Sequence, residues 1–354
     1  MILTLCIITR EEVNLNKLKK TVGTVTGNRS TLPSSNYKRL TRIFSDKSYY
    51  GLWIKLLVCG SSLLRLKSDH ILMDGTCWKR GTRTYHYLTL CVLYKGVAVP
   101  IYFEDLERKG VSSVKQRIAF MSRAGKYYNL KGKTLLADRE YIGRRFFKYL
   151  TNSGILFIIR LRTGEYMAEI NQANGNRYSK MEKKVLRSKV LGKTVKKTFE
   201  MSGETYQVVM TKNLDGDSKE PIIYMISNLD EPAKVIANQY FLRWKIETCF
   251  KNMKNNGFSL EGINLKDPER ARLMFAIVSF AYALSISEGL KDYEKVPEKE
   301  YKDGSVFKAE SVFRYGLDKL GCLLEDLYSF TKYLFGMYEA IERQYFSPKS
   351  INVQ

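Results

Sequence analysis

The sequence predicts an α/β fold: a mixed sheet flanked by helices and interrupted by a mostly β insertion. Three observations carry this reading. From His70 onward, short apolar β-rich runs and amphipathic segments follow one another in the order β-β-β-α-β-α-β. Residues 162–219 then break the alternation with polar, strand-like stretches punctuated by glycine. A long amphipathic helix follows at 233–254, opened by Asp230 and Pro232 and closed by Asn255-Asn256-Gly257.

Taken in order, residues 10–67 hold 12 Lys/Arg against 3 Asp/Glu. Residues 23–36 read as loop, whereas 37–44 and 53–66 have helical spacing, so 1–67 is expected to be a basic, partly helical region. Residues 71–73 form a short strand ending at Asp74. Runs 86–93 and 97–103 are paired strands joined through Tyr94-Lys95-Gly96. A helix spans 113–124 and stops at Gly125, a strand spans 134–137 and ends at Asp138, a helix spans 141–152, and 155–161 is a continuous apolar strand of the buried kind. These elements make a first core segment, 68–161. The insertion occupies 162–228, its strands at 194–199 and 206–211, with 221–228 returning from it. Residues 229–290 complete the core, and 291–354 form a helical C-terminal region.

The charge balance narrows the partners. Lys and Arg number 59 against 36 Asp and Glu, a formal +23, which suits a polyanion and nucleic acid first. Six scattered cysteines and two histidines offer no zinc-ligand spacing. The apolar run at 2–8 lacks a preceding basic residue and a cleavage site, and the longest uncharged stretch, 273–287, is shorter than the ~18–20 residues a membrane span needs. A cytoplasmic protein with no membrane partner is expected.

On the 233–254 helix, Tyr240, Arg243, Glu247, Lys251 and Lys254 fall on one stripe roughly 80° wide at 100° per residue. Val235, Leu242, Ile246, Cys249, Phe250 and Met253 fall on the opposite face, which should lie on the sheet. A solvated face with i,i+4 pairs such as Glu247 with Lys251 accounts for part of this stripe. The full spacing Y-x2-R-x3-E-x6-K points further, to a carboxylate set among cations. Asp74 and Asp138 follow strands, where open α/β sheets present residues to a crevice, although an Asp there also serves as a turn or cap residue. Glu104 and Asp105 also follow a strand and would compete for a metal role, but the end of that third strand should point the other way if it runs antiparallel to its neighbours. Three carboxylates from two strand ends and one helix would make an all-oxygen site suited to Mg²⁺ or Mn²⁺, and such sites promote phosphoryl transfer.

The strand order, Asp74 in MDGT, Asp138 in ADREY and Glu247 in YFLRWKIETCFKNMK resemble bacterial DDE transposases of the insertion-sequence-four family, over roughly residues 37–290. The resemblance implies an RNase H-like core interrupted by a β insertion before the last catalytic helix. It implies Asp74, Asp138 and Glu247 as the catalytic, metal-binding triad, holding two Mg²⁺ ions with Mn²⁺ as substitute. Tyr240, Arg243 and Lys254 match the residues that contact phosphates near the cleaved end, and Lys251, one turn from Glu247, suits the same task. Also implied are cut-and-paste movement of an insertion element, a homodimer on double-stranded DNA comprising transposon ends and target, and a nucleoid-associated place in a bacterial cytoplasm. A base flipped onto an aromatic of the insertion is a further implication, with Tyr206 and Tyr224 as candidates. Two other readings stand beside it: an RNase H-like nuclease without strand joining, and a DNA-binding protein without catalysis.

Overall fold

The computed structural model describes residues 1–64, 68–106, 110–162, 166, 177–188, 193–201, 203–213, 220–325, 333 and 336. Five helices precede the sheet: α1 (Ile2–Arg10), α2 (Leu15–Leu18), α3 (Thr21–Val25), α4 (Pro33–Ser45) and α5 (Leu52–Leu63). The apolar run at the start of the chain is α1, and it buries Cys6 and Ile7 completely. The loop expected from residue 23 begins instead inside α3. Val22 is buried in the same core and α3 packs on α1, so tertiary burial overrides the low helix propensity of Thr and Gly there.

Eight strands form one sheet: β1 (His70–Arg80), β2 (Arg83–Tyr94), β3 (Val97–Asp105), β4 (Thr134–Ala137), β5 (Leu156–Arg160), β6 (Thr194–Met201), β7 (Glu204–Lys212) and β8 (Ile222–Ser227). Their spatial order is β3-β2-β1-β4-β5-β8-β7-β6. β1, β4 and β5 are mutually parallel, and β2 is antiparallel to both β1 and β3. That is an RNase H-like core. Lys95 and Gly96, both with positive φ, make the tight turn between β2 and β3. Strands β6 to β8 continue the same sheet, β8 pairing antiparallel with β5. The insertion thus extends the core sheet.

Between strands lie α6 (Val114–Ala124), α7 (Arg144–Asn152) and, in the insertion, α8 (Arg177–Leu186). Ser113 and Gln116 form a reciprocal capping box that starts α6. The rest comprises α9 (Ala233–Phe241), α10 (Lys245–Lys254), α11 (Pro268–Lys291), α12 (Val312–Glu325) and a separate hairpin of β9 (Glu298–Glu300) with β10 (Val306–Lys308). The helix expected over 308–342 is described as α12, and most of the remainder lies outside the described residues. By length and composition α11 could cross a membrane, yet 89% of its apolar window is buried inside the fold.

Two expectations need correcting. β1 does not end at Asp74 but runs to Arg80, because β2 keeps pairing with it after β4 stops at Ala137. β3 runs parallel to β1, being antiparallel to the strand between them, so Glu104 and Asp105 point toward the same end of the sheet as Asp74. They are occupied there: Arg123 grips Glu104 at 2.6 Å, and Arg83 pairs with Asp105 at 3.0 Å.

Helices α11 and α12 approach at glycine. A Cβ on Gly316 would strike the Ser285 carbonyl and the Gly289 amide, and one on Gly289 would strike the Val312 carbonyl. Backbone cannot yield as a side-chain tip can. Gly316→Ala is therefore expected to destabilise the fold by at least ~1–3 kcal/mol, seen as a lowered urea midpoint with little change in slope.

Candidate active site

The site is built where β1 and β4 part. Met73 pairs with Ala137 in parallel register, so the next residues, Asp74 and Asp138, leave adjacent strands at one level. Asp138 then caps a short 3₁₀ turn, Arg139–Tyr141. The third acid comes from the helix expected at 233–254, which is two helices. A 3₁₀ turn over Leu242–Trp244 separates α9 from α10. Three residues at 120° in place of 100° shift the phase by about 60°. Accordingly Val235 is exposed and Leu242 only half-buried, in place of the sheet contact expected for both. Pro232, and not Asp230, is the N-cap.

The stripe of polar residues divides. Tyr240 and Arg243 are buried, Glu247 and Lys251 are exposed, and Lys254 is half-buried. Tyr240 directs its hydroxyl to Asp138 Oδ1 at 3.5 Å, and burial pushes that phenol up to about 12, so it stays a neutral donor. Arg243, 4% exposed, sits between two acids: its Nη1 is 3.5 Å from Asp74 Oδ2 and its Nη2 2.9 Å from Glu247 Oε1. Its Nε and Nη1 are buried without a hydrogen-bond partner. Burial drives the Asp74 carboxyl up to about 7; Arg243 and the Gly75 amide oppose the rise, and Glu140 and Asp138 add to it.

As they stand, no three His, Cys, Asp or Glu side chains cluster as a metal cage among the described residues. The guanidinium of Arg243 links Asp74 to Glu247 in its place. The donor chemistry nonetheless fits a hard cation. Asp74 and Asp138 are neighbouring carboxylates; burial chiefly raises Asp74, Glu140 and Asp138 add to it, and a divalent ion would favour the charged acids.

Lys254 gives its ammonium to the Cys77 carbonyl at 3.0 Å and to Glu261 at 3.4 Å, lying 5.3 Å from the Trp78 ring centre. Any phosphate contact by Lys254 has to displace these partners. The exposed Lys251 meets no such demand. Lys251→Ala is expected to lower the slope of log affinity for DNA against log salt by about 0.9, and Lys254→Ala by clearly less, in titrations over a salt series.

Tyr206 and Tyr224 are core residues. Tyr206 packs against Phe147, Phe157 and Phe199, and Tyr224 donates to Glu182. Sequence reasoning missed Glu140 and Tyr141, which stand beside Asp74. Their signal was present in ADREY, but 141 reads equally well as the start of a helix.

An RNase H-like sheet thus presents paired carboxylates beside a buried arginine. The sequence profile of the transposase DDE domain matches residues 65–284, and the chain belongs to this transposase family. Among solved structures it is similar to a piggyBac transposase synaptic complex with hairpin DNA, at 12% identity and a TM-score of 0.44, covering 78% of this chain. The chain spans 57% of that protein. No curated protein matches it.

Proposed function

We propose that this transposase is of the insertion-sequence-four type and moves a DNA element by cut and paste, with Asp74, Asp138 and Glu247 as its catalytic acids. The observation that carries the proposal is the β1–β4 register, which sets Asp74 beside Asp138 while Arg243 ties Asp74 to Glu247. These three acids would hold Mg²⁺ or Mn²⁺, which when bound supplies Lewis acidity and an activated water or 3′-hydroxyl. The chain's own groups do the rest. Arg243, held between Asp74 and Glu247, keeps a positive charge beside the acids that favours a phosphate, an interaction that positions DNA without reading its sequence. Tyr240 steadies Asp138 from its buried side. Lys251 and Lys254 flank the same stripe, and the basic region 1–67 and the insertion 162–228 supply further cationic surface for double-stranded DNA, bound as a homodimer.

The experiment uses DNA carrying the inverted repeats that flank the gene, with Mg²⁺, Mn²⁺ or EDTA. Release of the segment between the repeats and its joining to a target plasmid, only with a divalent ion, is the expected result. Nicking without joining would mark a nuclease. Binding without any cleavage would mark a DNA-binding protein and end the catalytic reading.

A further inference from the structure

We infer that Tyr141 is a positioning residue whose hydroxyl fixes the Asp74 carboxylate relative to Asp138, with Arg117 holding Tyr141 in place. The inference rests on the proposed role of the two aspartates as metal ligands. Tyr141 closes the 3₁₀ turn that Asp138 opens, its amide donating to the Asp138 carbonyl at 3.0 Å. From that turn the side chain reaches across to the neighbouring strand, where its hydroxyl lies 3.4 Å from Asp74 Oδ1. The same oxygen accepts from the Gly75 amide at 2.8 Å, and the other faces Arg243. Each Asp74 oxygen thus has a defined neighbour. One rigid turn carries Asp138 at its start and the anchor for Asp74 at its end.

Two further features serve this contact. Gly75 borders it closely: a Cβ there would touch the Tyr141 hydroxyl at 3.4 Å and crowd His86 Nε2 at 3.1 Å. Arg117, 5% exposed, donates to the Ile142 carbonyl at 2.8 Å and twice to the Ser112 carbonyl, at 3.1 and 2.7 Å. Its guanidinium lies 5.8 Å from the Tyr141 ring centre. Tyr141 itself is 1% exposed. A ring needed only for packing would be better served by phenylalanine, because a buried hydroxyl is costly unless it meets a partner. Here the Asp74 carboxylate is that partner.

Tyr141→Phe removes one oxygen, keeps the ring and changes no charge, so any change in cation affinity reports geometry. Mn²⁺ binding to the full chain, read from the EPR signal of free Mn²⁺, is expected to weaken about tenfold or more. The melting temperature in EDTA should fall by no more than about 3 °C. Tyr141→Phe that binds Mn²⁺ like the wild type overturns the inference, as does a melting loss in EDTA large enough to explain the weaker binding. Wild-type protein that binds no Mn²⁺ overturns the metal reading itself, a distinct result.

Discussion

Asp138→Asn is expected to abolish strand cleavage, by about a thousandfold or more, while DNA affinity in EDTA stays within about twofold of the wild type. Asparagine preserves the shape of the side chain and still accepts from Tyr240, whose hydroxyl lies 3.5 Å from Asp138 Oδ1. What it removes is the charge. Asp138 leaves β4 at the level where Asp74 leaves the β4-paired part of β1, so the substitution removes a carboxylate from the adjacent pair. A divalent cation would then lose its strongest attraction, whereas phosphate would meet less repulsion. Cleavage of end-labelled DNA and a filter-binding titration, run on one preparation, separate the two effects. Cleavage retained in Mg²⁺ would remove Asp138 from the chemistry.

The second large effect concerns Arg243→Lys. Cleavage should fall about a hundredfold while DNA affinity falls less than about tenfold. Charge is conserved in this substitution, so the prediction is about shape. The guanidinium spans Asp74 at 3.5 Å through Nη1 and Glu247 at 2.9 Å through Nη2. An ammonium is a point charge and cannot reach both acids in this geometry. Equal losses in single-turnover cleavage and in affinity would reduce Arg243 to a general electrostatic role.

Most of the sheet was legible because buried parallel strands leave plain apolar runs. The 134–137 and 155–161 runs and the capping-box helix after Ser113 all stand close to where their patterns put them. The candidate site was legible in residue type and spacing, but not in contacts. Periodicity treats 233–254 as a uniform helix, and nothing in Phe241-Leu242-Arg243-Trp244 announces a 3₁₀ turn. The resulting twist buries Tyr240 and Arg243 against the aspartates and leaves Val235 in solvent. Direction along the sheet was misjudged for Glu104 and Asp105, because β3's relation to β1 depends on the pairing of the strand between them. The anchoring by Tyr141 was invisible because it spans residues 74 and 141, and a cross-strand contact leaves no periodic trace.

On the proposed role of residues 1–67 in binding DNA, the packing of α1 bears on how DNA preference can change over time. Cys6 and Ile7 of α1 are fully buried, α1 packs on both α11 and α12, and Glu11 just beyond it is clasped by Arg314 of α12 at 2.7 and 3.0 Å. A recognition module that is merely tethered can be exchanged between relatives by recombination at its linker. Here a graft that replaced residues 1–67 would strip an apolar surface from α11 and leave Arg314 with its longer, 3.4 Å pairing to Asp318 in place of Glu11. Innovation in this part of the chain is therefore channelled toward point changes on exposed basic faces, such as Lys38, Arg39 and Arg42 of α4, and away from wholesale replacement.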